Sequence, residues 1–175
     1  MNTLRKAIQP DWETAERLYP LVLRRLKEYE VFWDAQSEET PEEVFNTEYK
    51  KMEQELSQFT GKDLSDVWLW EWWEDNGIEV LAFDVALPAP KKHTDLTKAD
   101  LLALVHIICT QDFESESDFQ EEFKPFMFYQ HQYFHQFLEI NFKKTYKPNY
   151  FYREQDKNGK WYQLSEEEII EKMWK

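Results

Sequence analysis

The segment SDVWLWEWWEDNGIEVLAFDVALPAP, residues 65–90, determines the choice between a helical and a mixed fold. Asn76-Gly77 followed by IEVLAFDV is typical of a type I′ turn that leads into a strand. Pro88 would end that strand, because proline has no amide hydrogen to donate to a sheet. The sequence therefore predicts a β-strand over residues 78–85.

The tryptophans before this turn allow two interpretations. Their alternation over residues 67–74 fits a partner strand. A helix from Leu64 to Asp75 that ends at Gly77 fits nearly as well, because glycine commonly terminates helices. Residues 67–74 therefore stay open between strand and helix, and the indole rings serve either core packing or an aromatic anchor in a protein interface.

Helices are predicted on the N-terminal side of this segment. Asp11 is a suitable N-cap for a first helix, and Pro20 would kink or break it because it removes an amide donor. Residues 34–41 read as an internal linker. Thr40-Pro41 then starts a second helix that should run to about Phe59 and end at Thr60-Gly61.

On the C-terminal side, Thr97 followed by Asp100 opens the helix LLALVHIICT, which is apolar on most sides and therefore central. An aromatic helix should follow it and complete the core. The predicted core residues are Leu101, Val105, Ile108, Phe134 and Phe137.

The C-terminal region predicts a second hairpin over residues 149–164, turning at Asn158-Gly159. Ser165 and Glu168 then form a capping box for a short last helix. The whole pattern predicts an α+β fold in which residues 1–175 form a single globular domain. About five or six helices would surround a small, mainly antiparallel sheet that includes residues 78–85 and the hairpin.

Composition excludes several function classes. The chain has 175 residues, 42% apolar and 17% aromatic, which is enough for a proper core. With only three Gly and no GxGxxG or P-loop pattern, the sequence predicts no nucleotide cofactor. The single Cys109 lies in an apolar run and indicates a reducing compartment. The absence of a signal-peptide core and of a long apolar run predicts a soluble cytoplasmic protein without a membrane partner.

The formal net charge of −14 is unevenly distributed. Residues 34–122 hold twenty-three acidic and six basic residues, a net of −17, whereas both flanking regions are nearly neutral. Such a surface repels phosphate backbones, so a nucleic-acid partner is not expected. A basic protein partner is the complementary expectation.

The densest acidic stretch is QDFESESDFQEEF, residues 111–123. One interpretation is a solvated loop before a helix whose first turn favours carboxylates. The other is an interface that attracts a cationic protein by charge and holds it by a few aromatic anchors. On this second interpretation the partner-binding residues are Glu38, Glu39, Glu42, Glu43, Asp112, Phe113, Glu114, Glu116, Asp118, Phe119, Glu121 and Glu122.

Two patterns could support catalysis. His131, His135 and Glu139 follow i, i+4, i+8 spacing, so on a helix they could share a transition metal, although no cysteine pair supports such a site. His106 and Cys109 could form a base and thiolate pair, but the Leu and Ile around them favour burial. Because neither pattern names a reaction, the sequence predicts a protein that is not an enzyme and needs no metal or cofactor.

A third pattern, FKKTYKPNYFYR over residues 142–153, interleaves bases with aromatics. It could form a platform for single-stranded RNA, but its four charges are few and an acidic block lies nearby. A strand edge protected by lysines explains it adequately.

In size, acidity, aromatic richness and lack of catalytic motifs, the chain resembles the immunity proteins of bacterial polymorphic toxin systems, such as those of contact-dependent growth inhibition. The resemblance implies a cytoplasmic inhibitor that blocks a basic, nuclease-type toxin, and it carries no residue roles with it. Two other functions stay open. One is a metal-dependent enzyme that uses His131, His135 and Glu139, and the other is an acidic adaptor or assembly subunit.

Overall fold

The computed structural model describes residues 4–70, 72, 77–110, 126 and 131–175. The chain divides into two compact units: unit 1 contains Met1–Gln9 and Pro90–Lys175, and unit 2 contains Pro10–Ala89. Across the described residues the protein is mostly helical, with six α-helices and one small antiparallel sheet of two strands. The coarse α+β class is confirmed, whereas a single domain over residues 1–175 stays a prediction.

Unit 2 begins with α1, Trp12–Asp34. The Asp11 carboxylate accepts a hydrogen bond from the Thr14 amide at 3.1 Å, which confirms the predicted N-cap. Pro20 lies inside the helix and does not end it, so the helix runs unbroken beyond the proline. One stripe of α1 is buried along its length and comprises Ala15, Leu18, Val22, Arg25, Leu26 and Tyr29.

The second helix, α2, spans Glu42–Thr60 and was predicted with nearly these bounds. It ends at Gly61, whose φ of +68° is in the left-handed region and whose amide donates to the Ser57 carbonyl at 2.8 Å. Met52 and Leu56 are its buried residues.

An arginine links α1 to α2. Arg25 is only 6% exposed, and its Nη2 donates to Glu48 Oε1 at 2.7 Å. Its Nε donates to Glu55 Oε2. The buried cation therefore has two carboxylate partners on the facing helix, as burial of a charge requires.

The prediction of a strand over residues 78–85 is wrong, because these residues form helix α3, Ile78–Ala86. The segment is apolar on nearly every side, so its periodicity does not distinguish a strand from a helix. Tertiary packing decides between helix and strand here. The buried cluster that contains the apolar residues of α1 and α2 also includes Ile78, Ala82 and Val85. Gly77, with φ +98°, precedes a helix and not a strand.

The end of α3 is capped from outside the helix. Lys62 Nζ donates to the carbonyl oxygens of Asp84 at 2.9 Å, Val85 at 3.2 Å and Leu87 at 2.9 Å. Burial lowers the pKa of Lys62, against a smaller opposing effect of Asp84. The lysine thus satisfies carbonyls that the last helical turn leaves without amide partners.

The open question over residues 67–74 is answered in part. The described residues 67–70 form neither a helix nor a strand, and Trp72 itself has 3-10 helical geometry. Residues 71 and 73–76 lie outside the described part of the chain. The helix alternative from Leu64 to Asp75 is therefore wrong over residues 64–70, and the strand alternative is wrong over residues 67–70.

Unit 1 contains α4, Lys98–Thr110, α5, His131–Asn141, and α6, Glu166–Met173. The predicted start of α4 is confirmed: Thr97 N donates to Asp100 Oδ2 at 2.8 Å, and Asp100 N donates to Thr97 Oγ1 at 3.2 Å. Arg5 Nε donates to Asp100 Oδ1 at 2.9 Å. Burial alone would raise the pKa of Asp100, but the bonds from Thr97 and Arg5 outweigh it, so the pKa is lowered.

The core of unit 1 forms around α4, as predicted. The helices contribute apolar residues to one buried cluster, joined by Leu4, Ile8 and Phe151. All five predicted core residues are buried, which confirms the prediction: Leu101, Val105, Ile108, Phe134 and Phe137.

The predicted C-terminal hairpin is present but short. After a 3-10 helix at Pro148–Phe151, strand β1, Glu154–Gln155, pairs antiparallel with β2, Trp161–Tyr162. Gly159, with φ +78°, lies in the turn, and the capping box of Ser165 and Glu168 is fully formed. In the described part of the chain this hairpin is the whole sheet, so the predicted small antiparallel sheet is present only as two strands and does not include residues 78–85.

Among the described helices, none is both long enough and apolar enough to span a lipid bilayer.

Candidate partner-binding surface

Nearly all of the net negative charge of the chain lies in unit 2. Residues 10–89 contain twenty Asp and Glu and seven Lys and Arg, a formal net charge of −13. Unit 1 contains the other fifteen acids and fourteen bases and is nearly neutral at −1. A cationic protein would therefore be attracted to unit 2 as a whole, and in unit 1 to the local excess of acidic residues at 111–122.

Four of the predicted partner-binding carboxylates lie together at the connection between α1 and α2. Thr40 N donates to the Ser37 carbonyl at 3.0 Å, which closes a turn with Glu38 and Glu39 at its centre. The first two residues of α2 supply two further carboxylates, where the helix dipole favours negative charge. All four side chains are exposed: Glu38, Glu39, Glu42 and Glu43.

Aromatic rings pack together beside this connection. Trp33, in the last turn of α1, lies 4.5 Å from Phe45 of α2 and 4.8 Å from Trp70, measured between ring centroids. Trp70 packs edge-on against Tyr29 at 5.0 Å and against Trp72 at 4.7 Å. Since Trp33 remains 38% exposed, the cluster reaches the protein surface near the four carboxylates.

The tryptophan-rich segment packs in part into the core of unit 2 and is in part exposed to solvent, while its role as an interface anchor stays a prediction. Leu69 and Trp72 are buried in the core of unit 2, and Trp70 packs against that core. Trp68 is 71% exposed, the highest value for a large apolar side chain among the described residues. Trp68, Trp70 and Trp72 alternate in the sequence, but this alternation does not distinguish the exposed Trp68 from the buried Trp72.

The other predicted partner-binding residues lie outside the described residues. They are Asp112, Phe113, Glu114, Glu116, Asp118, Phe119, Glu121 and Glu122. Their role in binding stays a prediction.

The alternative metal site gains no support from the residues that can be described. His135 Nδ1 lies 2.9 Å from the Tyr146 hydroxyl, and its ring packs edge-on against Phe151 at 5.0 Å. Glu139 is exposed to solvent, and the side chain of His131 lies outside the described part of the chain. Among described residues, no three His, Cys, Asp or Glu side chains are grouped as metal ligands would be.

His106 and Cys109 do not form an activated pair. His106 Nδ1 lies 3.1 Å from Glu166 Oε1, so its partner is on α6. Burial, with a further contribution from Glu166, raises the pKa of the Cys109 thiol to about 11. The thiol is therefore protonated at neutral pH, and a protonated thiol is a poor nucleophile.

The basic and aromatic segment at residues 142–153 is not a strand edge, since it contains the 3-10 helix Pro148–Phe151. Phe151 is buried, and Tyr146 and Tyr150 pack against the core of unit 1. These three rings therefore contribute to folding and do not form an open stacking platform.

Comparison of the chain with protein-family models, curated proteins and solved structures finds no match.

Proposed function

We propose that this chain is an acidic binding protein that neutralises a basic protein partner, and that it acts as an immunity protein against a nuclease-type toxin in the bacterial cytoplasm. The observation that carries the proposal is the exposed group of carboxylates at residues 38–43, next to an aromatic cluster in a unit of net charge −13.

Charge and contact would contribute to such binding in different ways. Exposed carboxylates accelerate the encounter with a cationic surface, and salt weakens this effect. Aromatic side chains that are fixed in position hold the complex together and act on dissociation. A nuclease offers a cationic cleft for its phosphate substrate, so a carboxylate-rich surface is complementary to that cleft.

The first experiment identifies the partner and its activity. Tagged chain would be used to capture proteins from lysate of its native host, and the captured protein would be produced separately. We expect a basic protein whose nuclease activity is lost when the chain is added at equal concentration. A neutral or acidic partner, or a nuclease that stays fully active in the complex, would contradict the proposal.

The second experiment tests the binding surface by charge reversal. Changing Glu38, Glu39 and Glu42 to Lys should slow association with this partner on the order of tenfold at low salt. The matched control reverses three exposed carboxylates of unit 1: Glu139, Glu167 and Glu171. We expect the control variant to associate much faster than the unit 2 variant. If the association rate changes neither with salt concentration nor in the unit 2 variant, the assignment of the surface is refuted.

A further inference from the structure

Trp68 is presented to solvent from a rigid part of unit 2. Its indole is 71% exposed, whereas the next residue, Leu69, is completely buried. Removing an indole from water stabilises a folded chain, so an indole left in water does not contribute this stabilisation. Neighbouring Trp70 and Trp72 pack into the unit, which makes the exposure of Trp68 an exception within its own segment.

The hydroxyl of Tyr49 fixes the backbone on both sides of Trp68. It accepts a hydrogen bond from the Leu69 amide at 3.1 Å and lies 3.4 Å from the Val67 carbonyl, to which it donates. The Tyr49 ring packs edge-on against Tyr29 at 5.8 Å, so α1 in turn holds the tyrosine. Burial raises the pKa of Tyr49, which keeps its hydroxyl protonated and able to donate at neutral pH.

The surroundings of Trp68 favour a cation. Asp63 and Asp66 are exposed in the same segment, and the whole unit has a net charge of −13. Arg and Lys side chains bind the face of an indole, and nearby carboxylates strengthen the attraction of the cation to this region. Stacking of a nucleobase is disfavoured because the same carboxylates repel its phosphates.

We infer that Trp68 is a preorganised anchor that receives an Arg or Lys side chain of the cationic protein partner, with Tyr49 as its positioning residue. The inference rests on the proposed function and adds to it the residue that holds the partner. Since Tyr49 fixes the backbone before the encounter, binding orders little of the chain and loses little conformational entropy.

The test uses a fluorescein-labelled nona-arginine peptide as the probe and the full chain labelled with 5-fluorotryptophan. Fluorine NMR resonances of Trp68 and Trp161 are assigned by changing each to Phe. Trp161 is the matched control, because it is 62% exposed and lies in unit 1. We expect the Trp68 resonance to shift saturably on titration and the Trp161 resonance to remain in place.

Affinity measured by anisotropy supplies the second readout. Trp68→Ala should weaken peptide binding about threefold to thirtyfold, the range expected for a cation on an aromatic face. Trp161→Ala should leave the affinity unchanged. Tyr49→Phe keeps the ring but removes both hydrogen bonds, so it should weaken peptide binding less than Trp68→Ala does. If the Tyr49→Phe variant binds the peptide as tightly as the unmodified chain, the positioning role of Tyr49 is overturned. Circular dichroism should show all three variants folded, since Trp68 and Trp161 are exposed and Phe retains the packing of Tyr49.

The outcomes separate the two proposals. A chain that does not bind the peptide at all would overturn the cation-binding function and the anchor with it. A chain that binds the peptide while the Trp68 resonance stays in place, with Trp68→Ala binding as tightly as the unmodified chain, would overturn the anchor alone.

Discussion

Replacing Arg25 by Met should destabilise unit 2 by leaving two carboxylates without their cation. The methionine retains most of the apolar stem, so the change removes mainly the guanidinium. Arg25 is 6% exposed, and it is the hydrogen-bond partner of both Glu48 and Glu55. The substitution therefore removes one buried positive charge and breaks two ion pairs.

The magnitude follows from the exposure of the partners. Removing one member of a fully buried pair costs about 3–5 kcal/mol, because the other charge remains in a dry environment. Here the side chains of Glu48 and Glu55 are 24% and 36% exposed, so both carboxylates can recover part of their hydration. We therefore expect Arg25→Met to lower the free energy of unfolding by about 2 kcal/mol.

Urea denaturation followed by tryptophan fluorescence measures this loss, because six of the eight tryptophans lie in unit 2. Arg25→Lys is the first control and should lose about half as much, since an ammonium can replace one ion pair but not the bidentate fork. The second control combines Arg25→Met with Glu48→Gln and Glu55→Gln and should regain most of the stability. If that triple variant is as unstable as Arg25→Met alone, the loss comes from packing and the electrostatic argument is refuted.

Four further predictions concern the end of α3, the start of α4, the Cys109 thiol and the core of unit 1. Lys62→Met should lower the free energy of unfolding by about 1–2 kcal/mol, because three carbonyl groups at the end of α3 lose a charged donor; a thermal melt of unit 2 that does not move would contradict this. The folded-state pKa of Asp100 lies below its ordinary value of 3.8, so its contribution is complete above that pH and is lost as the pH falls through the folded value. Acid unfolding should therefore be less steep in Asp100→Asn than in the unmodified chain, and identical acid profiles would rule the contribution out. Cys109 should react with iodoacetamide at pH 8 much more slowly in the folded chain than in urea, and equal rates would show that the thiol is not protected. Val105→Asp should cost about 3 kcal/mol or more, because an unpaired carboxylate would enter the core of unit 1, and an unchanged melting temperature would contradict that burial.

The sequence predicts best the features that depend on local chemistry. The end of α2 at Gly61 follows from the freedom of glycine to adopt positive φ. The capping box at Ser165 follows from the reach of a serine and a glutamate to nearby amides. In each case the groups that interact lie within four residues, so no knowledge of tertiary packing is needed.

The error at residues 78–85 has the opposite cause. IEVLAFDV is rich in β-branched residues, and its apolar positions fit both a helix and a strand. The segment becomes a helix because α1 and α2 supply a surface that buries it and Lys62 caps its end. Lys62 lies 22 to 25 residues before the carbonyl groups that it caps, and α1 lies still further away, so the sequence pattern alone could not reveal these partners.

The candidate site was predictable in its charge but not in its geometry. Acidic composition was sufficient to identify Glu38, Glu39, Glu42 and Glu43 as exposed carboxylates. Composition could not identify Trp68, because the backbone on both sides of it is held by hydrogen bonds with Tyr49, which lies 18 to 20 residues earlier than the residues that it bonds. The buried ion pairs of Arg25 were also missed, since nothing local distinguishes it from the exposed arginine before it.

The division of the chain into units has a consequence for biosynthesis. Unit 2 is continuous in sequence, so all the residues of this unit are available to one another once residues 10–89 have left the ribosome. Those of unit 1 are not, because Leu4 and Ile8 pack into the same cluster as Ile169 and Met173. Leu4 and Ile8 must therefore wait for Ile169 and Met173 to be translated before their core can close. Throughout that interval the residues of the acidic unit are already complete, whereas those of the unit 1 core are not.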